Sequence, residues 1–208
     1  MIIAVDGPSA AGKGTIARAI AAKLGYHFLD TGSLYRMVGL AMLQGGVAVD
    51  DVAAAVKIAK ALDPSSVKDS DLRNEQVAAM ASQVAVIPEV RKALLDFQRD
   101  FAKRQPGAVL DGRDIGTVVC PDADLKFFVT AATDERARRR HAELRSLGHT
   151  VDYDAVLEDV MARDERDATR KTAPTTMAED AIMIDTSLLD RDEVLAAVMD
   201  VVVEHMAG

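Results

Sequence analysis

The stretch Gly7-Pro8-Ser9-Ala10-Ala11-Gly12-Lys13-Gly14-Thr15 constrains this chain more than any other. It follows the apolar run Ile2-Ile3-Ala4-Val5 and leads into Ile16-Ala17-Arg18-Ala19-Ile20, so the local order is strand, glycine-rich turn, helix start. At such a junction the first backbone N–H groups of the helix have no partner of their own, and the turn becomes a cradle for an anion. Gly7 and Gly12 let the main chain approach a phosphate where a Cβ would clash, and Lys13 supplies a mobile cation for the terminal phosphates.

The remaining pattern agrees with a strand-to-helix alternation. Ile16, Ile20 and Leu24 recur at helical spacing, and Gly25 stops that helix. Tyr26-His27-Phe28-Leu29 reads as the next strand, ending in Asp30-Thr31-Gly32, and Leu34, Met37, Val38 and Ala41 trace a second helix face. A third helix starts near Asp50 or Asp51, either able to cap it, and Ser65 to Asp71 reads as a loop with little to offer a core. Helical spacing resumes through Val77, Met80, Ala81 and Val84, then from Pro88 through Val90, Leu94, Phe97 and Phe101. Ala108-Val109-Leu110 is a short strand that delivers Asp111-Gly112-Arg113-Asp114 at its C-terminal end, where open parallel sheets bind ligands. Leu125 to Val129 is a fourth strand, with Thr133 expected to cap the helix after it, and Ala181 to Ile184 is a fifth. The expected fold is α/β: a five-stranded parallel sheet with helices on both faces, in a single domain over 1–208.

Composition narrows the partners. At 208 residues and 49% apolar the chain can bury a full core. Its formal net charge of -8 opposes broad attraction to nucleic acid or to an anionic membrane, so an anionic substrate needs local basic clusters. No apolar run approaches the roughly 18 residues of a membrane span, and Cys120, the only cysteine, reads as a small buried hydrophobe compatible with a reducing cytoplasm. His27, His141, His149 and His205 have no ligand-like spacing, and no side chain is assigned as a direct metal ligand.

Three groups of residues carry candidate chemistry beyond the loop. Gly14 stands after the lysine where Ser or Thr normally ligates Mg²⁺, so a metal would hang on nucleotide phosphates and waters. Asp111, ending a buried strand, is either the carboxylate that organises those waters or a turn former beside Gly112. Arg163, Arg166 and Arg170 present forked donors suited to phosphoryl oxygens, while the interleaved Asp164, Glu165 and Asp167 fit an ordinary salt-bridged helix face equally well. The Arg136 to Arg140 cluster is open in the same way. An Asn-Lys-x-Asp segment, which guanine-specific switches use, is missing: Asn74 is the only asparagine and no lysine follows it.

Taken together these motifs resemble the bacterial cytidylate kinases, of the nucleoside monophosphate kinase group. The resemblance rests on Asp6 through Thr15, Asp30-Thr31-Gly32-Ser33-Leu34-Tyr35-Arg36, Ala81-Ser82-Gln83-Val84-Ala85, Asp111 through Val119, and Arg163-Asp164-Glu165-Arg166-Asp167, and it runs through nearly the whole chain. It implies a monomeric cytoplasmic enzyme that transfers a phosphoryl group from ATP, with Mg²⁺, to CMP or dCMP, with neither nucleic acid nor membrane as partner. It also implies that Gly7 to Thr15 bind ATP and that Lys13, Asp111, Arg163, Arg166 and Arg170 serve the transfer. Arg36 and Arg113 would clamp the acceptor phosphate; Ser82, Arg91 and Asp114 would read cytosine; Arg163 and Asp167 would hold the ribose, with Thr31 where relatives often have Ser. The acceptor region would span 31–107 and an arginine-rich lid 144–170. Relatives commonly carry a strand-rich insertion in the acceptor region, whereas only Leu62 to Arg73 fills that span here. Another acceptor on the same fold, or a nucleotide-hydrolysing switch, is the competing reading.

Overall fold

The computed structural model describes residues 1–72 and 74–207, so Arg73, the last residue of the shortened span, lies outside them. The sheet has five strands: β1 (Ile2–Asp6), β2 (His27–Asp30), β3 (Ala108–Asp111), β4 (Leu125–Thr130) and β5 (Ile182–Asp185). Their order is β2-β3-β1-β4-β5, and β1 is parallel to β3 on one side and to β4 on the other. β4 is in turn parallel to β5. Between β3 and β4 the chain crosses from one side of β1 to the other, the topological switch point at which open α/β sheets take ligands.

The helices are α1 (Lys13–Leu24), α2 (Thr31–Gln44), α3 (Val52–Lys60), α4 (Glu75–Val84), α5 (Pro88–Ala102), α6 (Thr133–Ser146), α7 (Tyr153–Thr169) and α8 (Arg191–Ala207). Of the two candidate caps for α3, Asp51 fills the place, its Oδ1 accepting from Ala54 N at 3.0 Å. The expected cap of α6 is displaced by one residue. Ala132 occupies the cap position and makes no side-chain bond, while Thr133 is the first helical residue and its Oγ1 accepts from Arg136. The segment read as a loop after α3 holds two 3₁₀ turns, Pro64–Ser66 and Asp69–Leu72, and Leu72 at its end is buried. A π-helical turn, Ile115–Val119, follows β3 and has no sequence signal that the reading above recognised.

The chain divides into two compact units, one made of Met1–Leu29 with everything from Ala102 onward, the other of Asp30–Phe101. The first has its core where Ile3, Val5, Val109, Phe127 and Val129 of the sheet meet Ile16 and Ile20 of α1 and Val194 and Val198 of α8. All four residues of β3 and the last four of β1 are buried, as central parallel strands covered on both faces should be. In the second unit, Leu34, Val38 and Met42 of α2 pack with Ala55 and Ala59 of α3, Ala81 and Val84 of α4, and Val90 and Leu94 of α5.

β1 hands the chain to the loop with almost no clearance. Gly7 adopts φ +141°, and a Cβ there would lie 1.9 Å from the Val129 carbonyl oxygen of β4. Overpacking and left-handed strain each cost about 1–3 kcal/mol. Gly7→Ala is expected to lose about 3 kcal/mol or more of stability, read from the urea midpoint at unchanged m; a midpoint equal to wild type would contradict this close approach.

Candidate active site

The loop from Gly7 to Thr15 is concave toward the N-terminus of α1. Ala10 and Gly12 have φ of 57° and 92°, and backbone of alternating hand turns successive N–H groups to one side. Gly12 is the cap residue of α1 and offers no side-chain acceptor to the first helical turn, which leaves those donors for a ligand. Lys13 is buried, its ammonium held over the loop by a 2.7 Å bond to the Pro8 carbonyl. The buried Ser9 Oγ has no hydrogen-bond partner among the described residues. Convergent N–H groups, a cation and an unused hydroxyl suit a polyphosphate.

Gly14 and Asp111 prove to be neighbours. A Cβ on Gly14 would lie 3.0 Å from Asp111 Oδ2, so the carboxylate fills the space beside the residue that lacks a hydroxyl. That donor set fits a Mg²⁺ ion held through waters: an anionic oxygen is at hand, and no protein hydroxyl from position 14 competes for the shell.

Beyond Asp111 the chain is tied back to β1. Gly112 N donates to Val5 O at 3.0 Å, and the Asp6 carboxylate accepts from Ile115 N at 2.8 Å and from Gly116 N at 2.7 Å. Burial pushes the Asp6 carboxyl up to about 6 and Asp114 adds to the push, while the two N–H bonds and the charge of Lys13 oppose it.

Arg113, Asp114, Asp167 and Arg170 form one charged cluster. Arg113 Nε donates to Asp167 Oδ2 at 2.9 Å, and Arg170 lies 3.6 Å from Asp114 Oδ1 and 3.9 Å from Asp167 Oδ1. Burial raises the Asp167 carboxyl, but Arg113, Arg163 and Arg170 outweigh it and hold the group below the usual carboxylate range. Arg163 therefore acts on the same cluster, four residues before Asp167. Arg166 is exposed, and its backbone carbonyl accepts from Arg170 N at 3.2 Å.

Four of the sequence-derived acceptor residues lie in the Asp30–Phe101 unit. Thr31 is buried at the start of α2, and Arg36 pairs with Asp30 at 3.1 Å. Ser82 on α4 is buried, and its Oγ has no hydrogen-bond partner among the described residues. Arg91 on α5 is buried, donates to Ala85 O at 3.2 Å and sits 5.5 Å over the Tyr35 ring.

Sequence reasoning gave Asp6 no role of its own, left Arg136 open within its cluster and missed the cleft beside α1. Arg136 is buried and donates to Ala131 O, Ser9 O and Thr133 Oγ1 at 3.0, 3.3 and 3.1 Å, and its Nη2 pairs with Asp164 at 2.6 Å. It ties the phosphate loop to α7. A cleft of about 380 Å³ opens next to Gly12 and Thr15, lined by Glu135, Arg139, Thr186 and Leu189 among others. Arg139 is fixed across it, donating to Thr186 Oγ1 at 2.9 Å and to Thr186 O at 2.7 Å. Only Asp6 carried a usable signal, a carboxylate directly before the loop glycine.

The fold and the loop are those of P-loop kinases. A solved sugar kinase from Janibacter superposes over 96% of this chain and 92% of its own, with a TM-score of 0.50 and 14% identity, which speaks to fold alone. The family model for cytidylate kinase matches residues 3–204. A cytidylate kinase of Rhodospirillum rubrum is 53% identical over 205 residues, covering 97% of this chain and 96% of that protein. Another, from Paramagnetospirillum magneticum, is 52% identical over 204 residues, covering 97% of each. The chain belongs to the cytidylate kinase family.

The Asp6 carboxyl implies a pH signature. Because its folded value lies above its unfolded one, its contribution to stability is fully present below about pH 4 and is lost as pH rises through about 6. Wild type should therefore lose stability relative to Asp6→Asn between pH 4 and pH 7, by on the order of 3 kcal/mol. Urea melts of both proteins across that range measure it, and a constant difference would refute it.

Proposed function

We propose that the chain transfers the terminal phosphoryl group of ATP to CMP or dCMP, giving ADP and CDP or dCDP. The observation that carries this is the full-length likeness to cytidylate kinases in a chain whose phosphate loop and Asp111–Asp114 segment both end central strands. Donor phosphates lie in the nest from Gly7 to Thr15, with Ser9, Lys13 and the α1 N-terminus as donors. The donor base takes the cleft beside Arg139 and Leu189. Mg²⁺ supplies neutralisation of the phosphate charge when bound, and Asp111 orients its waters.

On the acceptor side, Arg113 and Arg36 offer planar forks to the monophosphate. Asp114, with Ser82 and Arg91, reads the base: a carboxylate accepts from the N4 amine of cytosine and repels the carbonyl that uracil presents there. Thr31 lends its hydroxyl and backbone, Arg163 and Asp167 hold the ribose, and Arg170 with Arg166 meets the transferring phosphoryl group. The acceptor region is 31–107, and the 144–170 lid excludes water, so that positioning and charge neutralisation do the catalysis. The enzyme works in the cytoplasm as a monomer, and its net charge of -8 supports the absence of nucleic-acid and membrane partners.

ADP release coupled to a dehydrogenase, with ATP and Mg²⁺ against CMP, dCMP, UMP, AMP and GMP, tests the reading. CMP and dCMP should be turned over fastest. A faster AMP or UMP rate contradicts the base assignment, and equal ADP release without acceptor contradicts the transfer. Lys13→Ala should lower kcat by at least about 100-fold, the scale for removing one charge-stabilising donor, with an unchanged circular dichroism spectrum.

A further inference from the structure

Asp6 spends burial on a charge that the fold could have avoided, and its geometry shows what the charge holds. Its two oxygens accept from consecutive backbone N–H groups, Ile115 at 2.8 Å and Gly116 at 2.7 Å, more than a hundred residues away in sequence. Those N–H groups open the π-helical turn that starts directly after Asp114, and Asp114 O accepts from Val118 N and Val119 N at 2.9 and 3.1 Å within it. The segment Arg113–Asp114 is thereby fixed from both ends: by Gly112 N on Val5 O before it and by Asp6 after it. Gly116 is packed closely between this carboxylate and the Lys126 stem. A Cβ on Gly116 would lie 3.0 Å from Lys126 Cδ and 3.4 Å from Asp6 Oδ2.

The charged groups around Asp6 come from three elements. Lys13 of α1 and Asp114 act on it electrostatically with opposite sign. Lys126 of β4 packs its stem against Gly116 and turns its ammonium away to Pro121 O and Asp180. A neutral amide could keep only one of the two bonds, since its NH₂ would face a second N–H donor. Charge-assisted bonds are stronger than neutral ones, so the ionised acid is the group that fixes both peptide planes.

We infer that Asp6 is a positioning residue for the acceptor: its carboxylate sets the orientation of Arg113 and Asp114 from the last residue of β1, and so governs acceptor affinity and base selectivity. This rests on the assignment of Arg113 and Asp114 to the acceptor. The group touches neither substrate; it acts through the turn it holds.

Steady-state kinetics of full-length wild type and Asp6→Asn at pH 7.5 test it. The expected result is a rise in KM for CMP of at least fivefold, KM for ATP within twofold of wild type, and a smaller preference for CMP over UMP. An unchanged KM for CMP, or an equal rise in both KM values, overturns the inference. In nucleotide-free wild type, the amide shifts of Ile115 and Gly116 should titrate together with a midpoint near pH 6, and that step should vanish in the variant; amides that do not titrate also overturn it. Should Asp6→Asn fail to fold, the wild-type titration of the Ile115 and Gly116 amides decides the inference by itself. A wild-type protein that does not use CMP refutes the acceptor assignment and this inference with it, whereas CMP turnover with an indifferent variant refutes the inference alone.

Discussion

Everything at the ligand-binding edge of the sheet depends on β1 being paired along both sides. With β3 on one flank and β4 on the other, the C-terminal end of β1 is held to within the tolerance of two hydrogen-bonded ladders. Two functions then meet in adjacent residues. Asp6 reaches across to the turn after β3, and Gly7 slides past the Val129 carbonyl of β4 to begin the phosphate loop. Neither could be supplied by an edge strand, where one ladder would be missing and the loop could drift.

The site also satisfies its own charges within the Met1–Leu29 and Ala102-onward unit. Guanidinium groups withdrawn from water are expensive unless matched, and three here have an identified carboxylate: Arg136 with Asp164, Arg113 with Asp167, Arg170 with Asp114 and Asp167. The alternation of acid and base along α7 is thus divided between two tasks. Asp164 anchors the helix to Arg136 and through it to Ser9 of the loop, whereas Asp167 turns into the cluster with Arg113. Spacing alone left a salt-bridged helix face as one of two open readings, because a helical pattern says which residues share a side but not what lies opposite.

That difference explains how much could be read in advance. The five strands, the phosphate loop and the placing of Asp111 to Asp114 at a strand end follow from local pattern, since apolar runs, glycines and turn residues act over a few positions. Family likeness supplied Arg36, Ser82 and Arg91, which no local rule would have selected. The features that escaped are contacts of long sequence separation: Asp6 to Gly116, Arg136 to Ser9, Arg139 to Thr186. The cap of α6 escaped for another reason. Thr133 finds a donor in Arg136, and the chain enters the helix one residue earlier through Ala132. The π-helical turn has a partner far off in sequence, the Asp6 carboxylate, in addition to its own backbone bonds, and Ile115 to Val119 carry no sign of it.

The Arg113–Asp167 pair has a consequence for which solutes the site can ignore. At 2.9 Å, Arg113 already has an anionic neighbour, so a simple salt anion arriving there gains only what it wins in competition with a carboxylate that cannot diffuse away. A molecule that carries a phosphate for the guanidinium and hydroxyl groups for the displaced carboxylate loses nothing in the exchange, because each member of the broken pair finds a new companion on the same ligand. Discrimination of that kind depends on a ligand presenting two groups at a set distance rather than on charge alone.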